Sequence, residues 1–341
     1  MDMDDRKVFI LGAVLRSYLE DHEPIGSRTL KRNFQMDVSA ATIRNEMSDL
    51  EVLGYLEKTH ISSGRVPSEK AFRWYVDELL RRGWDKDETP QLPTRNLISE
   101  TNEPQKLIRS VLTFLSDITN TTSLALIPGR TQDVLQKIRF IPLSDQDVLM
   151  VFAFRSKFIH TELVHLADGY SEERLKRAGE IFSELLEDRP LMDIDQFLHS
   201  PFFSGEYIYG NVISELVPVI RDVVRTHREP SLQFEGLAKL YQSPDADIEK
   251  VTDFIDQLRQ EEQMIRYLKS FQSRDEISIR IGSENNPEWL KSSTLIVAPY
   301  RVSGNFNGIL GVIGPIQMPY RTVMNDVSRM GRYVNSITMR K

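Results

Sequence analysis

The sequence predicts an α+β protein: a helical N-terminal region carrying a short hairpin, then antiparallel sheets with helices packed on them. Three observations lead to this class. The stretch from Ile25 to Val76 reads helix, turn, helix, hairpin, helix, the layout of a winged helix-turn-helix. Three strand-like runs, Leu135 to Leu143, Val148 to Phe154 and Phe158 to Leu166, have connections short enough to favour an antiparallel meander. Further strand-like runs flank that meander, at Ser123 to Ile127, Ser231 to Phe234, Glu276 to Ile281, Thr294 to Arg301 and Asn307 to Ile313. The economical arrangement is one sheet built from the outer segments and interrupted by the meander.

Each element has a local cause. Val8, Leu11, Val14, Leu15, Tyr18 and Leu19 recur at three- and four-residue steps, which gives a first helix over 4–21. Pro24 and Gly26 break the chain after it. Ser27 is read as the N-cap of a second helix, with Leu30 and Phe34 on one face. Ser39 is read as the N-cap of a third, whose buried stripe is Ile43, Met47 and Leu50 and whose C-terminal glycine is Gly54. Tyr55 to Lys58 and Arg65 to Pro67 pair as strands around Ser62-Ser63-Gly64. Ser68 caps a fourth helix that holds Phe72, Trp74, Tyr75, Leu79 and Leu80. Prolines 90, 93 and 104 and mixed charges make 83–104 a linker. Later helices are expected over 105–119, 171–187, 206–227, 245–271 and 320–338. A sheet with helices on one side is a complete layer pair, so 131–230 is read as a module of its own.

Composition narrows the function classes. The 341 residues leave room for about two or three domains. There is no cysteine, hence no disulfide framework and no thiolate metal site. The acidic opening MDMDDRK has the wrong sign for a signal peptide, and no apolar stretch approaches the roughly 20 residues of a membrane span. A cytoplasmic protein without membrane contact is expected. The net charge of -7 argues against non-specific nucleic-acid binding. Between Gly26 and Val76, however, eight Lys or Arg face six Asp or Glu, the opposite sign to the whole chain. Such a protein should bind generic DNA weakly and rely on correct base contacts.

The third helix is the candidate reading element. Arg44 can grip guanine O6 and N7, and Asn45 can pair with adenine N6 and N7. Thr42 and Ser48 lie on faces that the apolar stripe leaves free, and Ala40 and Ala41 are short enough for close approach. The helix starts at Ser27 and Ser39 offer N–H groups to phosphates, with Arg28 and Thr29 beside the first. Lys58, His60 and Arg65 sit on the hairpin, within reach of phosphate or a narrow minor groove. The competing reading is a structural three-helix bundle in which Arg44 merely pairs with Glu46 or Asp49. Enzymatic readings are poor: G-x-S-x-G, H-E-x-x-H, the phosphate loop and G-x-G-x-x-G are all absent. The glycines of Gly304 to Pro315 lack a phosphate-loop lysine and fit a turn with tight sheet packing. His160 and His165 stand five apart on a strand and face opposite sides, so they do not share a metal. Asp253, Asp256, Glu261 and Glu262 fit a solvated helix face.

Two blocks carry a family resemblance. SAATIRNEMSDLEVLGYLEKTHISSGRVPSEKAFRWYVD, from Ser39, resembles the N-terminal signature of the heat-inducible transcription repressor HrcA family. IRIGSEN from Ile279, STLIVAPY from Ser293 and GILGVIGPIQMPY from Gly308 resemble its C-terminal core. The resemblance implies a winged-helix domain (1–82), a GAF-like domain with an antiparallel sheet (105–130 and 231–341) and an α+β dimerisation domain inserted into it (131–230). It also implies a homodimer that represses chaperone operons at an inverted-repeat operator called CIRCE, kept active by the GroE chaperonin. No cofactor or metal is implied. The chain departs from the family pattern at Ile316-Gln317, where the family usually has Thr-Arg, and at Pro319. The alternative is a regulator that senses a small molecule through the GAF-like domain. Thermal shifts with small molecules would separate the two.

Overall fold

The computed structural model describes residues 3–58, 64–83, 104–199, 211–242, 252, 255–257, 261–271, 276–302 and 306–338. The class is α+β, with a helical N-terminal region and antiparallel sheets. The N-terminal region holds α1 (Asp5–Asp21), α2 (Ser27–Phe34), α3 (Ala40–Val52), strands β1 (Leu56–Lys58) and β2 (Arg65–Pro67), and α4 (Glu69–Arg82). Asp4, Ser39 and Ser68 cap α1, α3 and α4 by accepting from backbone N–H groups in the first turn. The expected cap of α2 is corrected: Ser27 is already helical, and Gly26 is the N-cap with no side-chain bond. Leu56 to Lys58 pair with Pro67 to Arg65 as the expected antiparallel ribbon.

A five-stranded antiparallel sheet forms the main body, in the order β8-β3-β11-β10-β9. Its strands are β3 (Thr122–Ile127), β8 (Ser231–Glu235), β9 (Ser278–Ile281), β10 (Ser293–Val302) and β11 (Phe306–Pro315). Side chains alternate between two cores. Leu295 and Val297 pack with Met264 and Leu268 of α9 (Glu261–Lys269) on one face. Ile296, Ala298 and Tyr300 point to the other face, toward α5 (Pro104–Thr119) and α10 (Tyr320–Thr338). Burial on both faces explains why these strands read as continuous apolar runs. Gly308 lies under the Tyr300 ring, where a Cβ would overlap it, so the glycine-rich strand serves sheet packing as expected.

The second face of this sheet does not end at α5 and α10. Its core runs without a break into the N-terminal helices, joining Leu11, Leu50 and Phe72 to Ile296, Tyr320 and Met324. Phe72 of α4 is 1% exposed and stands 5.9 Å from the Tyr320 ring. Glu69 accepts from Ser283 N at 3.0 Å and from its hydroxyl at 2.8 Å. Gly282, in the left-handed region at φ 52°, lets the Glu69 carboxylate come this close. Arg73 donates to Glu284 at 3.1 Å and to Ile279 O at 3.3 Å.

The meander forms a separate four-stranded sheet with its own core. Strands β4 (Val134–Pro142), β5 (Asp147–Phe154) and β6 (Ile159–His165) form it, and β7 (Arg189–Pro190) adds an edge beside β4. Helices α6 (Glu172–Leu186), α7 (Leu191–Leu198) and α8 (Asn211–Arg228) contribute to that core. The short β7 and α7 escaped the sequence reading, because Arg189-Pro190 looks like a simple break. Of the helix expected over 245–271, only α9, residues 255–257 and 252 are described as helical. Residues 84–103 of the expected linker lie outside the described residues.

Module and main sheet meet at a cationic, aromatic cluster. Arg130 N donates to His227 O at 2.9 Å, and the Arg130 guanidinium lies 4.4 Å from the Phe158 ring centroid. The His227 ring is 4.8 Å from His160 and 5.0 Å from Phe158. Burial, with the nearby His160 and Arg130 charges, lowers the His227 pKa to about 4. The folded state therefore holds His227 neutral. Below about pH 6.5 the unfolded chain binds the extra proton first, so stability falls as pH drops and levels off near pH 4. The expected loss across this window is at most about 3 kcal/mol. His227→Gln should flatten that slope in urea titrations. An unchanged slope would contradict the assignment.

Candidate nucleic-acid interface

The third helix buries Ile43, Met47 and Leu50 and turns the opposite side outward. Ala41, Arg44, Asn45, Ser48 and Val52 recur at helical spacing and are all exposed, a single strip along α3. Arg44 has no ion pair among the described residues, and the expected competitors Glu46 and Asp49 are engaged elsewhere. Thr42 is half-buried in the first turn, its hydroxyl 2.8 Å from the Ser39 hydroxyl, while its N–H donates to Ser39 Oγ at 3.0 Å. Arg28 and Thr29 are exposed at the start of α2, and Ser27 beside them is half-buried.

What holds α3 rigid was missed at the sequence level. Lys7 of α1 is 7% exposed, and its ammonium sits 2.9 Å from Glu46 and 3.3 Å from Asp49 on the back of α3. The hydrogen bond to Glu46, aided by Asp49, overcomes burial and raises the Lys7 pKa, so the cation is permanent. A signal was present: Lys7 falls in line with the buried Leu11, Val14 and Tyr18, and a buried lysine demands a counter-charge. The far end of α3 is closed by Lys70, which donates to Leu53 O at 2.8 Å while lying over the Tyr55 ring.

The hairpin cations also face α3. Lys58 approaches Glu51 at 3.0 Å and Arg65 at 2.7 Å. Burial would raise the Glu51 pKa, but bonds from Lys58 and Arg65 prevail and hold it below the ordinary carboxylate value. The Lys58 side chain stays 49% exposed, whereas that of Arg65 is only 16% exposed. Arg65 also exchanges backbone hydrogen bonds with Ile25, tying the ribbon to the start of α2. His60 lies outside the described residues.

A capped helix, braced from behind, presents an exposed polar strip on an N-terminal helical region, an arrangement compatible with a DNA-binding transcription regulator. Comparison with known proteins specifies the class. The model of the HrcA protein C-terminal domain matches residues 105–324. The heat-inducible transcription repressor HrcA of Clostridium tetani (strain Massachusetts / E88) is 31% identical, over 97% of this chain and 94% of its own length. Its counterpart from Thermoanaerobacter sp. (strain X514) is 30% identical over 99% and 97%. The chain belongs to the HrcA family of heat-inducible transcription repressors. It is a repressor of heat-shock operons acting at operator DNA, and not an enzyme. A crystal structure described only as that of a hypothetical protein shares the fold, with a TM-score of 0.71 at 19% identity over 98% of this chain and 99% of that one. Among the described residues no helix is long and apolar enough to cross a membrane.

Lys7→Met removes the ammonium that two carboxylates behind α3 share and leaves Glu46 only its 3.4 Å contact with exposed Arg6. It is expected to lower the melting temperature and to weaken operator binding while the order of base preference stays the same. Melting curves and binding to point-mutated operators check this. A shifted base preference would mean that Lys7 acts at the DNA and not behind the helix.

Proposed function

We propose that α1–α4 and the β1–β2 ribbon form a winged helix-turn-helix within 1–82, with α3 lying in the major groove. The exposed strip on α3 carries this reading. Arg44 and Asn45 would read base edges, Ala41, Thr42 and Ser48 would line the groove, and the helix starts at Ser27, Arg28, Thr29 and Ser39 would meet phosphates. Lys58 would follow the backbone from the ribbon beside His60. Arg65, held by Glu51, has less of its charge to offer. The linker (83–104) would lead to a GAF-like domain (105–130 and 231–341).

The inserted module (131–230) is proposed as the dimerisation domain. Among the described residues, its helices cover one face of the meander and leave the other exposed. There Ile141, Leu149 and Leu163 stand side by side across β4, β5 and β6. Leu163 is 62% exposed and neighbouring Ile159 58%. An uncovered sheet face this apolar suits a second copy of the chain. A twofold dimer would then match an inverted-repeat operator of the CIRCE type, one α3 per half-site. Activity would depend on the GroE chaperonin through its effect on the folded, cytoplasmic population.

The test is binding to an inverted-repeat duplex and to a scrambled duplex over a salt series. Arg44→Ala or Asn45→Ala should cost about 1–3 kcal/mol on the operator and relax base preference. Lys58→Ala should weaken both duplexes alike and reduce the salt slope. Indistinguishable behaviour of the two classes would remove α3 from the groove. Leu163→Glu should give a monomer in sedimentation, and an intact dimer would move the interface elsewhere.

A further inference from the structure

We infer that the groove between α1, α4 and the start of α10 is a binding site for a small molecule with an aromatic body and an anionic group. The groove is partly open to solvent and offers about 610 Å³, within the range of roughly 300–1,000 Å³ usual for small-molecule sites. It lies away from the α3 strip and away from the bare face of the meander.

The walls are aromatic. Trp74 and Tyr75 of α4 are half-buried along one side, and Phe34 of α2 joins them. Phe9 of α1 stands at the rim, 57% exposed. The floor includes Gly12, in the middle of α1. Glycine weakens a helix interior relative to alanine, and it is normally explained by a positive φ or a close backbone approach. Neither applies at Gly12: its φ is not in the left-handed region, and a Cβ there would meet no atom within 4 Å. What the missing side chain contributes is space in the groove.

Charge selects the ligand. Three arginines, Arg16, Arg82 and Arg321, line the groove with two carboxylates, Asp5 and Glu78. Glu78 is already held by Arg81 at 2.7 Å and Arg82 at 3.0 Å, which lowers its pKa. Arg321, in the first turn of α10, is exposed and makes no ion pair with a described residue. Arg16 makes none either, and its guanidinium lies 5.7 Å from the Phe34 ring centroid. Two available guanidinium groups beside aromatic walls fit an aryl carboxylate, sulfonate or phosphate, stacked on the rings with its anion toward the arginines. Such a ligand would touch both the N-terminal region and α10, and so would bear on how the two are held. That last consequence rests on the operator-binding role of α3, whereas the site itself does not.

The probe is 8-anilinonaphthalene-1-sulfonate, titrated into the full chain and read by energy transfer from tryptophan. Saturable binding of one dye per chain is expected. Gly12→Leu fills the floor and Arg321→Glu reverses the charge, and each should weaken binding about tenfold or more. Arg321→Lys should retain most of it. Arg321 is a surface residue, so its variants stay informative even if Gly12→Leu folds poorly. Dye binding that survives both substitutions and disappears with Leu163→Glu would place the dye on the meander face and overturn the site. So would substitutions that alter self-association in sedimentation and leave dye binding intact, because a second copy would then occupy the groove. Operator affinity, measured separately, can fail without changing the dye result.

Discussion

The docking of α4 ties the region that carries α3 to the rest of the molecule. One side of α4 closes the N-terminal region, and the other lies on the main sheet and α10. Phe72 sits between Tyr18 and Tyr320, so one ring belongs to both cores. Around it, Glu69 and Arg73 make charge-assisted bonds to Ser283, Glu284 and Ile279 O. Such bonds are directional and fix an angle that apolar contact alone would leave adjustable. The N-terminal region is thus part of a continuous hydrophobic core and not a bead on a linker.

This arrangement suits a heat-inducible repressor. A reading helix on an independent domain would keep its shape when the rest of the protein melted. Here loss of the main sheet and α10 removes Tyr320 from beside Phe72, together with the partners of Glu69 and Arg73. The local braces of α3 remain, namely Lys7, Glu51 with its two cations, and Lys70. They order α3 against α1 and the hairpin, but they do not replace the core behind α4. Repression would therefore be lost with the cooperative unfolding of the body.

Much of this was legible in the sequence because one rule governed each element. Period-3.6 stripes located α1, α3 and α4, serine caps fixed two of their starts, and short connections forced the meander. Ile43, Met47 and Leu50 faced inward as the stripe required, so the exposed side of α3 followed by elimination. What escaped was set by tertiary contact. The capture of Arg65 by Glu51 spans 14 positions and the Arg73–Glu284 bond 211, and neither has a local signature. Gly26 replaced Ser27 as cap because the chain leaves the turn in extended geometry one residue earlier than the side-chain preference suggests. The groove beside Gly12 was invisible because a helix-interior glycine reads only as a weak position until its surroundings are known.

The central claim, that the α3 presentation and the main sheet form one cooperative unit, is open to a direct measurement. Native-state hydrogen exchange on the full chain gives opening free energies for the buried amides of α3, at Met47 and Leu50, and of β10, at Ile296 and Val297. The expected result is opening energies that agree within about 1 kcal/mol and fall together with temperature. An α3 that opens several kcal/mol more easily than β10 (a gap that widens or narrows on its own as temperature rises) would show an independently folding N-terminal region and contradict the account.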